Sequence, residues 1–206
     1  MKKTKFILLA LAAALVLMGA AYAAWTQSLT ITSNINTGEL FVKIEDKDNT
    51  VQVDKAGDGH YVDAGINPDD VFKITKSSNS DGDLTISTIA YELNNMYPGT
   101  KITSKLNFTN IGTIGAITSA SIKNASYNAL WSELIIRVNG TEIGGSSAEQ
   151  KMENFTNAIK NAVGELDISA SKIVTIEQEL PYTSTNATER QNLTWSVDLT
   201  FTQNAK

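Results

Sequence analysis

The 206-residue chain has no cysteine, one histidine, three prolines and three tryptophans. Without cysteine there is no disulfide framework, no thiol nucleophile and no Cys-based zinc site. With His60 as the sole histidine, a helical H-E-x-x-H zinc site cannot be written. A Ser-His-Asp triad would have to be built on His60, and no G-x-S-x-G elbow accompanies it. His60 lies in Gly57-Asp58-Gly59-His60-Tyr61, a turn-like stretch in which a surface role is the default. No P-loop and no G-x-G-x-x-G motif follows a strand, so nucleotide binding has no support. Positive charge is also short: 17 Lys and Arg stand against 22 Asp and Glu, for a net charge of −5. No basic cluster follows the N-terminal region, which argues against a nucleic-acid partner. The expectation is a protein that is not an enzyme, with no catalytic residue and no resident cofactor.

What is present begins with two consecutive devices. Lys2, Lys3 and Lys5 precede an unbroken apolar run from Phe6 to Met18, and Gly19-Ala20-Ala21-Tyr22-Ala23 follows it. That order reads as a secretory signal over 1–23, cut between Ala23 and Ala24, with Ala21 and Ala23 at the recognition positions. Two alternatives compete. Phe6 to Ala24 is uncharged and meets the lower length limit for a membrane span. A pilin-type leader, cut before the apolar run, fits less well because Lys5 rather than a small residue precedes Phe6. After the expected cut, residues 24–36 alternate: Trp25, Leu29, Ile31 and Ile35 fall on odd positions, and Thr, Ser or Asn fill the even ones from Thr26 to Asn36. This is a strand with one apolar face and, after secretion, a free end. Such a strand can be given to a neighbour or can fold back as the first strand of its own sheet, and alternation alone does not choose.

Beyond residue 37 the chain reads as short strands punctuated by turns. Hydrophobic content of 42% and charged content of 19% describe globular material. Leu40, Val42 and Ile44 alternate. The polar run Glu45-Asp46-Lys47-Asp48-Asn49 then separates them from a short partner at Val51-Gln52-Val53. Val71 to Ile74 and Leu84 to Leu93 are strand-like. Tyr97-Pro98-Gly99-Thr100 is a turn leading into Lys101 to Phe108, and Asn139-Gly140 is a hairpin signal. Leu193, Trp195, Val197, Leu199 and Phe201 alternate with polar residues in the last strand, and Trp25, Trp131 and Trp195 all lie in strand-like segments where core packing is the default. One helix stands out. Ser146 and Glu149 suggest a capping box, Met152, Phe155, Ile159 and Val163 follow at helical spacing, and Gly164 sits where the helix should stop. The stripe reads as packing against a sheet. Turn signals at this spacing argue for an antiparallel sandwich or jelly roll.

Two segments place oxygen ligands at alternate positions, as calcium requires: Asp46 and Asp48, and Asp81 and Asp83 within Asn79-Ser80-Asp81-Gly82-Asp83. Neither completes an EF-hand loop, and Asn, Asp and Gly also simply favour turns. Sequons at Asn107, Asn124, Asn139, Asn154, Asn186 and Asn192 matter only where secreted proteins are glycosylated.

The order of these segments carries a resemblance. A short signal ending Ala-Tyr-Ala leads to an aromatic, a Thr/Ser-rich strand and Asn36-Thr37-Gly38-Glu39-Leu40. Met96-Tyr97-Pro98-Gly99-Thr100 and Asn107-Phe108-Thr109-Asn110-Ile111-Gly112 follow, then a closing Trp-containing strand. In this the chain resembles the TasA/camelysin family of secreted bacterial fibre proteins, which has archaeal bundling-pilus relatives. The resemblance implies an all-β, jelly-roll-like antiparallel β-sandwich with one or two short helices. It also implies an order of signal peptide 1–23, N-terminal donor-strand segment 24–37 and β-sandwich domain 38–206. The implied product is a secreted subunit of extracellular filaments, biofilm matrix or surface pilus-like fibres. The partner is the chain itself, as a head-to-tail homopolymer in which Trp25, Leu29, Ile31 and Ile35 complete the next subunit's sheet, with room for a minor anchoring or capping subunit. The membrane is met only during export. Camelysin members carry a metalloprotease label, and the chain lacks a recognisable zinc motif to go with it. A secreted camelysin-like metalloprotease and a monomeric surface-binding β-sandwich module, for carbohydrate among other ligands, are the competing readings.

Overall fold

The structure, a computed structural model, describes residues 38–81, 84–94, 96–185, 188 and 191–204, together with Leu11, Ala12 and 14–16. The side chains of 78–81 and 84 are outside that description. So are the expected cleavage site Ala23–Ala24, the assembly-strand residues Trp25, Leu29, Ile31 and Ile35, the calcium candidate Asp83 and the sequon Asn186. The chain divides into two units, residues 1–37 and 38–206. In the first, the described residues are helical, with Leu11, Leu15 and Val16 exposed. No helix among the described residues is long and apolar enough to cross a membrane.

The second unit is an antiparallel β-sandwich, as the turn spacing predicts. Its strands are β1 (Val42–Val53), β2 (Val62–Asp63), β3 (Phe72–Asp81), β4 (Leu84–Leu93), β5 (Thr100–Asn110), β6 (Ala116–Ala125), β7 (Ile135–Val138), β8 (Thr141–Glu142), β9 (Glu165–Leu166), β10 (Ser171–Glu179) and β11 (Leu193–Gln203). One sheet has the order β2-β1-β5-β10-β7-β8 and the other β3-β4-β11-β6-β9. Two α-helices, α1 (Ala129–Glu133) and α2 (Ala148–Val163), and a 3₁₀ turn at Pro68–Asp70 complete it.

Alternation decides the core. Leu193, Trp195, Val197, Leu199 and Phe201 are all buried on β11, which is central in its sheet. Opposite them Ile102, Leu106 and Phe108 of β5 and Val174 and Ile176 of β10 face inward. Trp195 stacks on Tyr91 at 4.1 Å between ring centroids and meets Phe155 edge-on at 4.8 Å. Phe155 belongs to α2, whose Met152, Phe155, Ile159 and Val163 are buried against β6, β7 and β10. Turn chemistry fixes the connections. Asn139 and Gly140 take φ of 49° and 79°, the pair of positive values that a two-residue hairpin demands. Gly99 takes φ of 86°, and Thr100 N–H bonds Tyr97 C=O at 2.9 Å, so Pro98-Gly99 forms the centre of a type II turn.

Three expectations are corrected. Residues 40–53 are not two strands separated by a polar break. Residues 42–53 form the single strand β1, which absorbs the excess residue of Asp46–Asn49 as a register shift against β5. Bulges tolerate polar residues because the extra residue leaves the ladder and meets solvent. The helix cap is Ser147 rather than Ser146: Ser147 Oγ accepts from Gln150 N–H, and Gln150 Oε1 returns to accept from Ser146 N–H at 2.7 Å. Gln serves the reciprocal position as well as Glu does. Trp131 is on helix α1 and not on a strand, because Asn128 caps that turn by accepting from Trp131 N–H.

Candidate functional site

The two flanks of the sandwich end differently. On one, α2 lies over β6 and β7, and the strands β8 and β9 finish the sheets. On the other, the outermost long strands are β1 and β3. They belong to the same flank, since both pack on the 3₁₀ turn and Lys76 of β3 makes an ion pair with Asp46 of β1. Among the described residues the outer edge of β3 has no partner strand. The outer edge of β1 has only β2, at Gln52 and Val53, and the bond from Ala64 N–H to Val51 C=O. An unpaired edge is a row of N–H and C=O groups that can template another strand.

The two edges are not equivalent. The β1 edge is short of regular ladder, since its register shifts between Asp46 and Asn49. It is also charged. Lys43 pairs with Glu45 at 2.7 Å and Lys105 with Asp48 at 3.6 Å. The hydrogen bond from Lys43 holds the Glu45 carboxyl below its ordinary range. The β3 edge pairs with β4 over ten residues without a shift. Along it Lys73, Thr75 and Ser77 are exposed, while Phe72 is buried and Ile74 is packed against the core.

A clasp fixes where the chain joins the sandwich. Asn110, fully buried at the end of β5, donates through Nδ2 to the carbonyls of Ile114 (2.8 Å), Leu166 (3.1 Å) and Asp167 (3.3 Å). Its Oδ1 accepts from Gly112 N–H at 3.0 Å. The loop so held grips residues 39–41: Ile111 and Gly112 N–H bond Phe41 C=O, Thr113 N–H bonds Glu39 C=O, and Glu39 N–H bonds Thr113 Oγ1. A Cβ on Gly112 would lie 2.2 Å from Glu39 O, so only glycine permits this approach. The Asn-x-Gly segment was conspicuous in the sequence, but its work as a clasp was not legible there. The carbonyls that Nδ2 bonds lie up to 57 residues away. Thr85 Oγ1 donates to Leu40 C=O at 3.0 Å, which places this clasp at the β3–β4 hairpin end of the sandwich.

At the opposite end of the flank a pocket of about 370 Å³ is lined by Val51, Val53, Ile66, Val71, Tyr97 and Pro98. Tyr97 is 65% exposed and Tyr182 51%, whereas Trp131 and Trp195 are buried. The other expected site residues are scattered. Asp46 and Asp48 each face a lysine rather than one another's ligands. Among the described residues no three of His, Asp and Glu gather around a point where a metal ion would sit. His60 is exposed, its backbone N–H on Asp58 Oδ1 at 3.0 Å. The same loop is organised by Asp54, whose carboxylate accepts from the N–H groups of Gly57 (2.7 Å), Gly59 (2.9 Å) and Ala56 (3.1 Å). Burial works against ionisation of Asp54, but these amides outweigh it and hold its carboxyl below the ordinary value. Of the sequons, Asn107 is buried and donates to Thr109 Oγ1, while Asn124, Asn139, Asn154 and Asn192 are exposed.

Compared with family models, curated proteins and solved structures, the chain matches none.

Proposed function

We propose that the protein is the structural subunit of an extracellular filament, assembled when residues 24–36 of one copy complete the sandwich of the next. The observation that carries this reading is the flank bounded by β1 and β3, which among the described residues lacks a closing strand along β3. Residues 24–36 have the length, the alternation and the free end, after cleavage at Ala23–Ala24, that such an edge accepts. Strand addition supplies ladder hydrogen bonds, and alternate side chains supply specificity. Burial of Trp25, Leu29, Ile31 and Ile35 contributes roughly 1.5–3 kcal/mol each before ordering costs. A contact in which one surface of a copy meets a different surface of the next does not close on itself, so it propagates as a fibre.

The test is deletion of residues 24–36 from the secreted protein, followed by negative-stain microscopy and circular dichroism. The expected result is loss of filaments with a soluble, largely β body retained. Filaments of unchanged width and repeat from the truncated protein overturn the reading. A second reading, a monomeric binding module, is favoured by the pocket beside exposed Tyr97. It requires that the full-length secreted protein give no fibres at all.

A further inference from the structure

We infer that the acceptor for the donated strand is the β3 edge, and that the strand lies antiparallel to β3. This rests on the donated-strand reading and specifies its other half.

The choice of edge follows from regularity and charge. A strand added to β1 would meet the register shift at Asp46–Asn49, the charges of Lys43, Glu45, Asp46, Lys47 and Asp48, and β2 already seated at Gln52 and Val53. Bulges and charges are the devices by which proteins guard an edge against pairing. On β3 the obstacles are fewer: ten residues run in unbroken register with β4, no strand is seated on the outer edge among the described residues, and the charged residues are Lys73, Lys76 and Asp81 against the five in a row of six on β1. Ten residues span about 33 Å, which the thirteen residues of 24–36 cover with a residue or two to spare at each end. Faces match as well. The exposed row Lys73, Thr75, Ser77 continues into the Thr, Ser and Asn positions of the incoming strand. The inward row begins with Phe72 and Ile74, which continue into its apolar positions, and then reaches Lys76, whose ammonium is held by Asp46 of β1.

The direction separates donation from folding back. Every strand pair in both sheets is antiparallel. The chain joins the sandwich at Gly38, at the end where β3 turns into β4. Antiparallel pairing on β3 puts residue 36 at the opposite end, beside Phe72. Within one chain only Thr37 would then have to bridge about 30 Å, when a residue reaches at most about 3.6 Å. An antiparallel strand on β3 therefore comes from another copy. The fold-back alternatives that the chain length allows are a hairpin on β1, the guarded edge, and a parallel strand on β3, which would be the one parallel pair in either sheet.

The absence of cysteine makes the test clean. Full-length secreted protein is made as three double variants: Lys73→Cys with Asn34→Cys, Lys73→Cys with Thr26→Cys, and Lys43→Cys with Thr32→Cys. Each is oxidised mildly after assembly, viewed by negative stain and run on denaturing gels without reductant. The expected result is a ladder of covalent multimers from the first pair alone, collapsing on reduction. A ladder from the second pair instead overturns the antiparallel direction. A ladder from the third pair, with fibres present, overturns the β3 assignment while leaving donation standing. An internal disulfide in the second or the third pair, with no multimers and no fibres, overturns the donated-strand reading itself. Fibres without a ladder from any pair overturn the β3 assignment and point to a different connector.

Discussion

Replacing Trp195 with alanine tests how the sandwich is held together. The indole is 1% exposed, stacked on Tyr91 at 4.1 Å with 13° between the planes, and meets Phe155 edge-on at 4.8 Å. It therefore ties β11 to β4 and to helix α2 at one point. Its Nε1–H donates to Gln178 Oε1 across the sandwich at 3.4 Å, a long bond that adds little. Large-to-small replacement of a buried aromatic costs about 3–5 kcal/mol, since transfer and cavity terms add. Two features favour the lower half of that range. Tyr91 Oη and Gln178 Nε2, on the two side chains touching the ring, have no hydrogen-bond partner. A cavity with polar walls admits water, which recovers part of the loss. For a chain of this size roughly 2–4 °C is lost per kcal/mol, so the melting temperature falls by about 6–20 °C. The assay is thermal and urea denaturation followed by far-ultraviolet circular dichroism, because the substitution removes a fluorophore. Trp195→Phe keeps an aromatic against Phe155 and should cost less than half as much. A Trp195→Ala variant within about 1 kcal/mol of wild type, or a Phe variant as unstable as the Ala one, refutes the claim that this ring ties β11 to β4 and to α2.

Two further outcomes follow from polar groups. Asn110→Ala takes the side-chain donor from the carbonyls of Ile114 and Leu166, at about 1–3 kcal/mol per group left orphaned, while Asp167 C=O keeps Ala170 N–H; Asn110→Asp should be no better because the donor is gone, and thermal denaturation equal to wild type for either refutes the clasp. Asp54 titrates below its usual 3.8, so its contribution is complete above that pH and is lost as pH falls through the lower folded value. The gap in urea midpoint between wild type and Asp54→Asn should therefore be constant from pH 7 to about 5 and narrow below 3.8, and a gap that widens with acid refutes the assignment.

Much of the fold was legible because alternation and turn chemistry act locally. The β11 face, the α2 stripe, the Asn139-Gly140 hairpin and the Pro98-Gly99 turn each need only their own residues and a buried side to be recognised. The misreadings have separate local causes. Glu45–Asn49 looked like a break because a bulge needs a partner strand to define it, and that partner is β5, more than fifty residues on. Trp131 looked like a strand residue because its helix is five residues long and is fixed by the Asn128 cap, not by periodicity. The candidate site was legible only by half. The segment proposed as donor is marked by the spacing of Trp25, Leu29, Ile31 and Ile35. The β3 edge has no sequence signature, because being at an edge is a property of sheet order.

The way each edge is finished separates the flanks. On the α2 side the helix covers β6 and β7 with four buried apolar side chains, Met152, Phe155, Ile159 and Val163, so pairing there would first have to displace a packed element. On β1 the guard is electrostatic and geometric, through Lys43, Glu45, Asp48 and the bulge. On β3 the geometric guard is missing among the described residues, since all ten hold register with β4, and the charge is sparser: Lys73 is exposed, and Lys76 is drawn across the flank to Asp46. A ten-residue regular strand left bare is an aggregation hazard. A chain that guards its other edges in two different ways does not lack the means to guard this one. On the proposed reading the bare edge is the receptor, and the guarded β1 edge gives it selectivity. An incoming strand that could pair with either would produce branched, irregular contacts, whereas one closed edge and one open edge allow a single repeat.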